Sequence, residues 1–179
     1  GRAGREIGLE ARLIPAIVGA FFAERYPDAA IRDVSPILGA QRMIKSPAEI
    51  AVMRQAGEIA AAMMDGAKHA MAAGVPEYEV ALAVMNAGTR KAAGFLTDRG
   101  WDAFISPMIH NLQIIQSGQA TSMVHRRATV KPLETGDPVY LCFCNMCQFK
   151  QYKLGFDRQF FIERVSYEAA HVQETAGKA

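Results

Sequence analysis

Apolar residues recur every three to four positions in the middle of the chain and every second position towards its end. The first rhythm belongs to helices and the second to half-buried strands. From Pro47 onward Ile50, Met53, Ala60, Met64, Ala67 and Met71 form one helical stripe, with Gly57 filling its gap. Ser46 suits the N-cap, Pro47 the first helical position, and Glu49 closes a capping box with Ser46. Gly74 followed by Pro76 ends the helix. A second helix is expected from about Glu77 to Ala93, with Val80, Val84 and Ala87 inward and Gly94 as its stop.

Before these helices the first ~40 residues read as strand, helix, strand. The segments are REIGLE, then Arg12 to Arg25, then AIRDVS closed by Ser35-Pro36. The chain opens inside the first strand, as expected of the tail of a domain. Beyond Gly100, WDAFISPMI, LQIIQSG, ATVKPL, PVYLCFC and FDRQFFIE are strand-like, rich in aromatic and β-branched residues. SYEAAHVQETAGKA then begins another helix. Two helices followed by an antiparallel sheet predict an α+β fold.

Composition narrows the classes. Half of the 179 residues are hydrophobic and 21% are charged, which is globular rather than disordered. The net charge of +2 gives no electrostatic reason to expect nucleic acid or an anionic membrane as partner. The apolar run Leu13 to Ala23 contains a proline and falls short of the ~18–20 residues that span a bilayer. Three cysteines, Cys142, Cys144 and Cys147, crowd into six residues. An odd, tightly spaced set is a poor disulfide framework, and no second pair completes a zinc site. They read as small apolar residues of a half-buried strand in a reducing compartment, and the expected location is cytoplasmic.

Of the four histidines, His69 and His171 fall in helices without a second ligand at matching spacing, and His110 ends a strand. His125 differs. It follows Ser117-Gly118 in a polar loop and precedes the turn at Gly136-Asp137.

The order of IKSPAEIAVMRQAG, QSG, His125 seven residues after Gly118, GDPVYL from Gly136, and FDRQFFI resembles the creatinase and prolidase/aminopeptidase P family. The resemblance covers residues 42 to 179. It implies the pita-bread fold, here its first half, while residues 1–41 resemble the tail of the family's N-terminal αβ domain. The peptidase branch places a metal-binding aspartate where Cys142 stands and a second at or near Gly155. Their loss implies no metal and no cofactor, as in the creatinase branch. By that resemblance His125 is the catalytic acid/base, and Asp157, Arg158, Tyr152 and Lys153 are substrate contacts. The implied activity is metal-independent hydrolysis of C–N bonds in small guanidino or amidino compounds by a homodimer. A metal-dependent proline-specific peptidase with Asp137 or Asp157 as ligands, and a catalytically silent binding protein, are the alternatives.

Overall fold

The computed structural model describes residues 6–97, 105–109, 114–123, 125–143, 147–168 and 170–171, with the backbone alone at 114, 147 and 148. The chain divides into two compact units, Gly1–Ala48 and Glu49–Ala179. No described helix is long and apolar enough to cross a membrane.

In the first unit, β1 (Glu6–Leu9) and β2 (Ala30–Asp33) pair in parallel, joined by the helix α1 (Ala16–Arg25). Pro15 stands at the cap of α1, so the helix begins four residues later than Arg12. A second helix, α2 (Ser35–Met43), follows where the sequence suggested only a closing turn. Its start is set locally. The Asp33 carboxylate accepts hydrogen bonds from the Ser35 backbone N–H (2.9 Å) and hydroxyl (2.5 Å), and Pro36 suits the first turn. Bonds from Ser35 hold the Asp33 carboxyl below its ordinary value. Neither α1 nor α2 buries a residue, and Leu13, Ile17 and Phe21 are well exposed.

The second unit is built on two long helices, α3 (Pro47–Ala70) and α4 (Glu77–Thr97). Helix α3 buries Ala56, Ile59, Ala60, Met63 and Ala67, so Ala60 and Ala67 of the anticipated stripe are inside, with Met64 and Met71 partly buried against the core. Ile50 and Met53 stay 40% and 38% exposed. Helix α4 runs through Gly94 and buries Glu77, Val80, Val84, Gly88, Ala92 and Leu96. The helices meet at Gly66, where a Cβ would lie 2.8 Å from the Ala87 Cβ and 3.1 Å from the Ala83 carbonyl oxygen. Small residues there admit close approach of two backbones.

A three-stranded antiparallel sheet lies beyond the helices, in the order β3 (Ile114–Ser117), β4 (Pro138–Cys142), β7 (Asp157–Phe161). Ile115 lies opposite Leu141 and Ser117 opposite Val139. These four side chains share the face that joins the helical core, and all are fully buried. The other face carries Gln116, Tyr140, Cys142, Asp157 and Gln159, by strand alternation and register. The ATVKPL segment makes no strand. It contributes an isolated bridge, Pro76 to Pro132, and residues 105–109 are likewise irregular. A small separate hairpin, β5 (Cys147–Phe149) and β6 (Tyr152–Leu154), follows β4 and precedes β7 in the chain. Residues 167, 168, 170 and 171 are helical, as expected of that segment.

Candidate active site

The loop that carries His125 leaves the end of β3. A 3-10 turn spans Gly118–Ser122, entered through Gly118 at φ +58°. Asp137 sits against that glycine, its Oδ1 only 2.7 Å from where a Cβ would be. The Asp137 Oδ2 accepts from the Lys131 ammonium at 2.6 Å and from the Glu134 N–H at 3.1 Å. The Gly136-Asp137 motif is therefore a brace for the loop, committed to Lys131.

Two buried side chains bind the loop from its two sides. On the sheet face opposite the helical core, the Gln116 amide donates to the carbonyls of Ala120 (2.9 Å) and Met123 (2.7 Å). On the helical face, Glu77 at the start of α4 is completely buried and holds three loop residues. Its Oε1 accepts from the Ser117 N–H (3.0 Å) and hydroxyl (2.7 Å), and its Oε2 from the Thr129 N–H (2.9 Å) and hydroxyl (2.7 Å). Arg126 Nη2 reaches both oxygens, at 2.9 and 3.1 Å. Burial by itself pushes this carboxyl up. The bonds from Ser117 and Thr129 and the charge of Arg126 outweigh it, and the group lies below its ordinary value. The first-turn N–H groups of α4 are satisfied by the same segment, Glu77 bonding to the Lys131 carbonyl and Tyr78 to that of Thr129.

His125 sits between these anchors, exposed and with φ +53°, a left-handed conformation uncommon outside glycine. The Met123 carbonyl two residues earlier accepts from Gln116. A depression of about 790 Å³ opens beside the loop, lined by Ser117 to Ala120, Ser122, Met123, Arg126, Lys131, Glu134 and Asp137.

The other anticipated residues are distributed unequally. Asp157 is exposed, pairs in register with Cys142, and accepts a hydrogen bond from the Tyr140 hydroxyl. Burial, then that carboxylate, raises the Tyr140 pKa and keeps the phenol a donor. Arg158, one residue on, turns to the opposite face. It donates to the Asp157 carbonyl (2.7 Å), lies 5.8 Å over the Phe156 ring and lines a groove of about 360 Å³ against Gly57, Ala61, Met64 and Asp65 of α3. Asp157 and Arg158 thus do not converge. Tyr152 gives its hydroxyl to Glu49 Oε1 at 2.6 Å, and this bond raises its pKa. Lys153 is exposed on the same hairpin.

Elsewhere, His69 Nδ1 contacts the Asp65 carbonyl oxygen at 2.7 Å, and the His171 ring stacks on Tyr167. His110 and Cys144 lie outside the described residues. Cys142 corrects an expectation: it is fully buried and disulfide-bonded, so the cluster does not act only as apolar filling. Glu77, Gln116 and Tyr140 were not anticipated as site residues. Only the position of Glu77 at a helix start hinted at a buried anchor.

Residues 51–179 match the metallopeptidase family M24. The chain belongs to the M24 family. Creatinase from Bacillus sp. (strain B-0618) is 32% identical over 142 residues, 78% of this chain and 32% of that protein. Agropine synthesis cyclase from Rhizobium rhizogenes is 28% identical over 134 residues, 72% of this chain and 32% of that protein. The X-Pro aminopeptidase from Thermotoga maritima MSB8 superimposes with a TM-score of 0.77 at 20% identity, covering 97% of this chain and 44% of that one. The prolidase from Pyrococcus furiosus gives 0.72 at 20%, covering 97% and 46%. These superpositions establish the pita-bread fold. The M24 chain spans about a third of its curated relatives and under half of the solved structures.

A metallopeptidase site calls for convergent carboxylate and imidazole ligands. The described residues do not fit that demand. No group of three His, Cys, Asp or Glu side chains converges among the described residues. Cys142 stands opposite Asp157 with its sulfur already in a disulfide, which removes the thiolate as a ligand. Asp137 is spent on Lys131.

Proposed function

We propose that this chain is part of a creatinase-like hydrolase that cleaves C–N bonds in small guanidino or amidino compounds without a metal ion. The observation that carries the reading is the pairing of disulfide-bonded Cys142 with Asp157 in the sheet register. A carboxylate remains there to hold a cationic substrate, and its partner is unable to bridge a metal. The 32% identity to a creatinase supports the same branch.

In this reading, Asp157 accepts N–H groups of the guanidinium, with the Tyr140 hydroxyl fixing the carboxylate. His125 takes a proton from water as the oxygen attacks the guanidinium carbon. It then returns that proton to the leaving nitrogen as the C–N bond breaks. An imidazole suits both steps because its ordinary pKa lies near neutral pH. We assign the full protein a small-molecule substrate and a homodimeric assembly, and the Cys142 disulfide removes the ground for expecting a reducing compartment.

The test uses the full-length protein after exhaustive chelation, with a panel of creatine-type and cyclic amidine substrates. Turnover is expected to persist, and His125→Ala is expected to lower kcat by about 10²–10⁴-fold. Turnover that depends on stoichiometric metal, or proline dipeptide cleavage stimulated by cobalt or manganese, would refute the reading.

A further inference from the structure

We propose that Glu77 is a positioning residue for His125, acting through Arg126 and the backbone of residues 117–129. The inference rests on the reading of His125 as the proton carrier and adds to it the group that sets its place.

Four observations converge. The Glu77 side chain is entirely buried, and its carboxylate oxygens receive six hydrogen bonds, from Ser117 at the end of β3 and from the loop that follows it. Those donors bracket His125 in sequence, with Ser117 eight residues before it, Arg126 beside it and Thr129 four after. His125 holds a left-handed backbone at φ +53°, which a non-glycine residue keeps only where its neighbours over-determine it. The carboxylate projects from the first residue of α4, a 21-residue helix packed in the core, so the loop is referenced to a core element.

The arrangement does more than close a loop. A neutral hydrogen-bonding side chain at position 77 would satisfy Ser117 or Thr129 but leave the adjacent guanidinium without a counter-charge. Arg126 Nε is buried without a hydrogen-bond partner among the described residues, and Glu77 is the carboxylate that its Nη2 reaches. Released from Glu77, Arg126 would swing, and the His125 backbone would relax from φ +53° towards the ordinary region. Gln116 restrains the loop only as far as Met123, so it does not replace this hold.

The experiment compares the full-length wild type with Glu77→Gln, and with Thr129→Val should the first variant fold poorly. Imidazole ¹H–¹⁵N correlations are recorded below the unfolding transition. The His125 signals are expected to shift and broaden in the variant, while those of His69 stay in place. On any substrate turned over, kcat is expected to fall by about 10–100-fold with KM within about twofold. Folded Glu77→Gln with His125 signals that superimpose on the wild type overturns the proposal. So does a loss confined to KM. The spectra need no turnover, so a wild type inactive on every substrate refutes the hydrolase reading and leaves this test decisive.

Discussion

Gly118 shows how one residue can carry a loop. Its φ of +58° lies where side chains are disfavoured, and Asp137 occupies the space a Cβ would need. Gly118→Ala is expected to destabilise the chain by about 2–4 kcal/mol, left-handed strain and overpacking together. A lowered urea midpoint at unchanged slope would show it, and an unchanged midpoint would mean that the loop accommodates the methyl. The same scale explains why the hairpin β5–β6 was not legible. Its turn residues Lys150 and Gln151 take φ +48° and +72° without an asparagine or glycine to announce them. Lys150 instead lies over the Phe149 ring at 5.4 Å. Cys142 is a second case, because three cysteines in six residues state their number but not which sulfur is bonded.

Between elements, the join of α4 to the β3–β4 connection is electrostatic, and so it depends on pH. The Glu77 carboxyl is held below its ordinary value of 4.5 in the folded chain. Its contribution to stability is therefore fully present above about pH 4.5 and is lost as pH falls through the lower folded value. Urea midpoints measured from about pH 6 to about pH 2.5 are expected to decline at the acid end, and Glu77→Gln to flatten that part of the profile. An identical acid slope in the variant would assign the effect to other carboxylates. Helix α3 shows the limit of periodicity at this scale. Several neighbouring stripes of Ile, Met and Ala satisfy a three-to-four spacing. Packing against α4 at Gly66 and Ala87 decides that Ile59 and Met63, rather than Ile50 and Met53, go inside.

At the scale of the molecule, the two units differ in how much they bury. Every buried residue of the core cluster lies in Glu49–Ala179, from Ala56 to Ile162, while α1 and α2 bury none. Amide exchange of the 179-residue chain is expected to be faster in α1 and α2 than in α3 and α4, because opening a segment without buried apolar contacts costs little. Equal protection in the four helices would contradict that ranking. Ion pairs such as Arg42 to Glu10 at 2.7 Å are exposed, and pairs of that kind contribute little to stability.

The sequence by itself determined the two long helices, the strands β3, β4 and β7, and the family, because periodicity, caps and motif spacing are local properties of the chain. It placed His125 in a loop between Gly118 and Gly136. Only the tertiary structure decided what surrounds that loop. Burial gave Glu77 a charge partner 49 residues away, and antiparallel register set Asp157 opposite Cys142. The pleat sent Arg158 to the other face from Asp157, a separation that adjacent letters conceal.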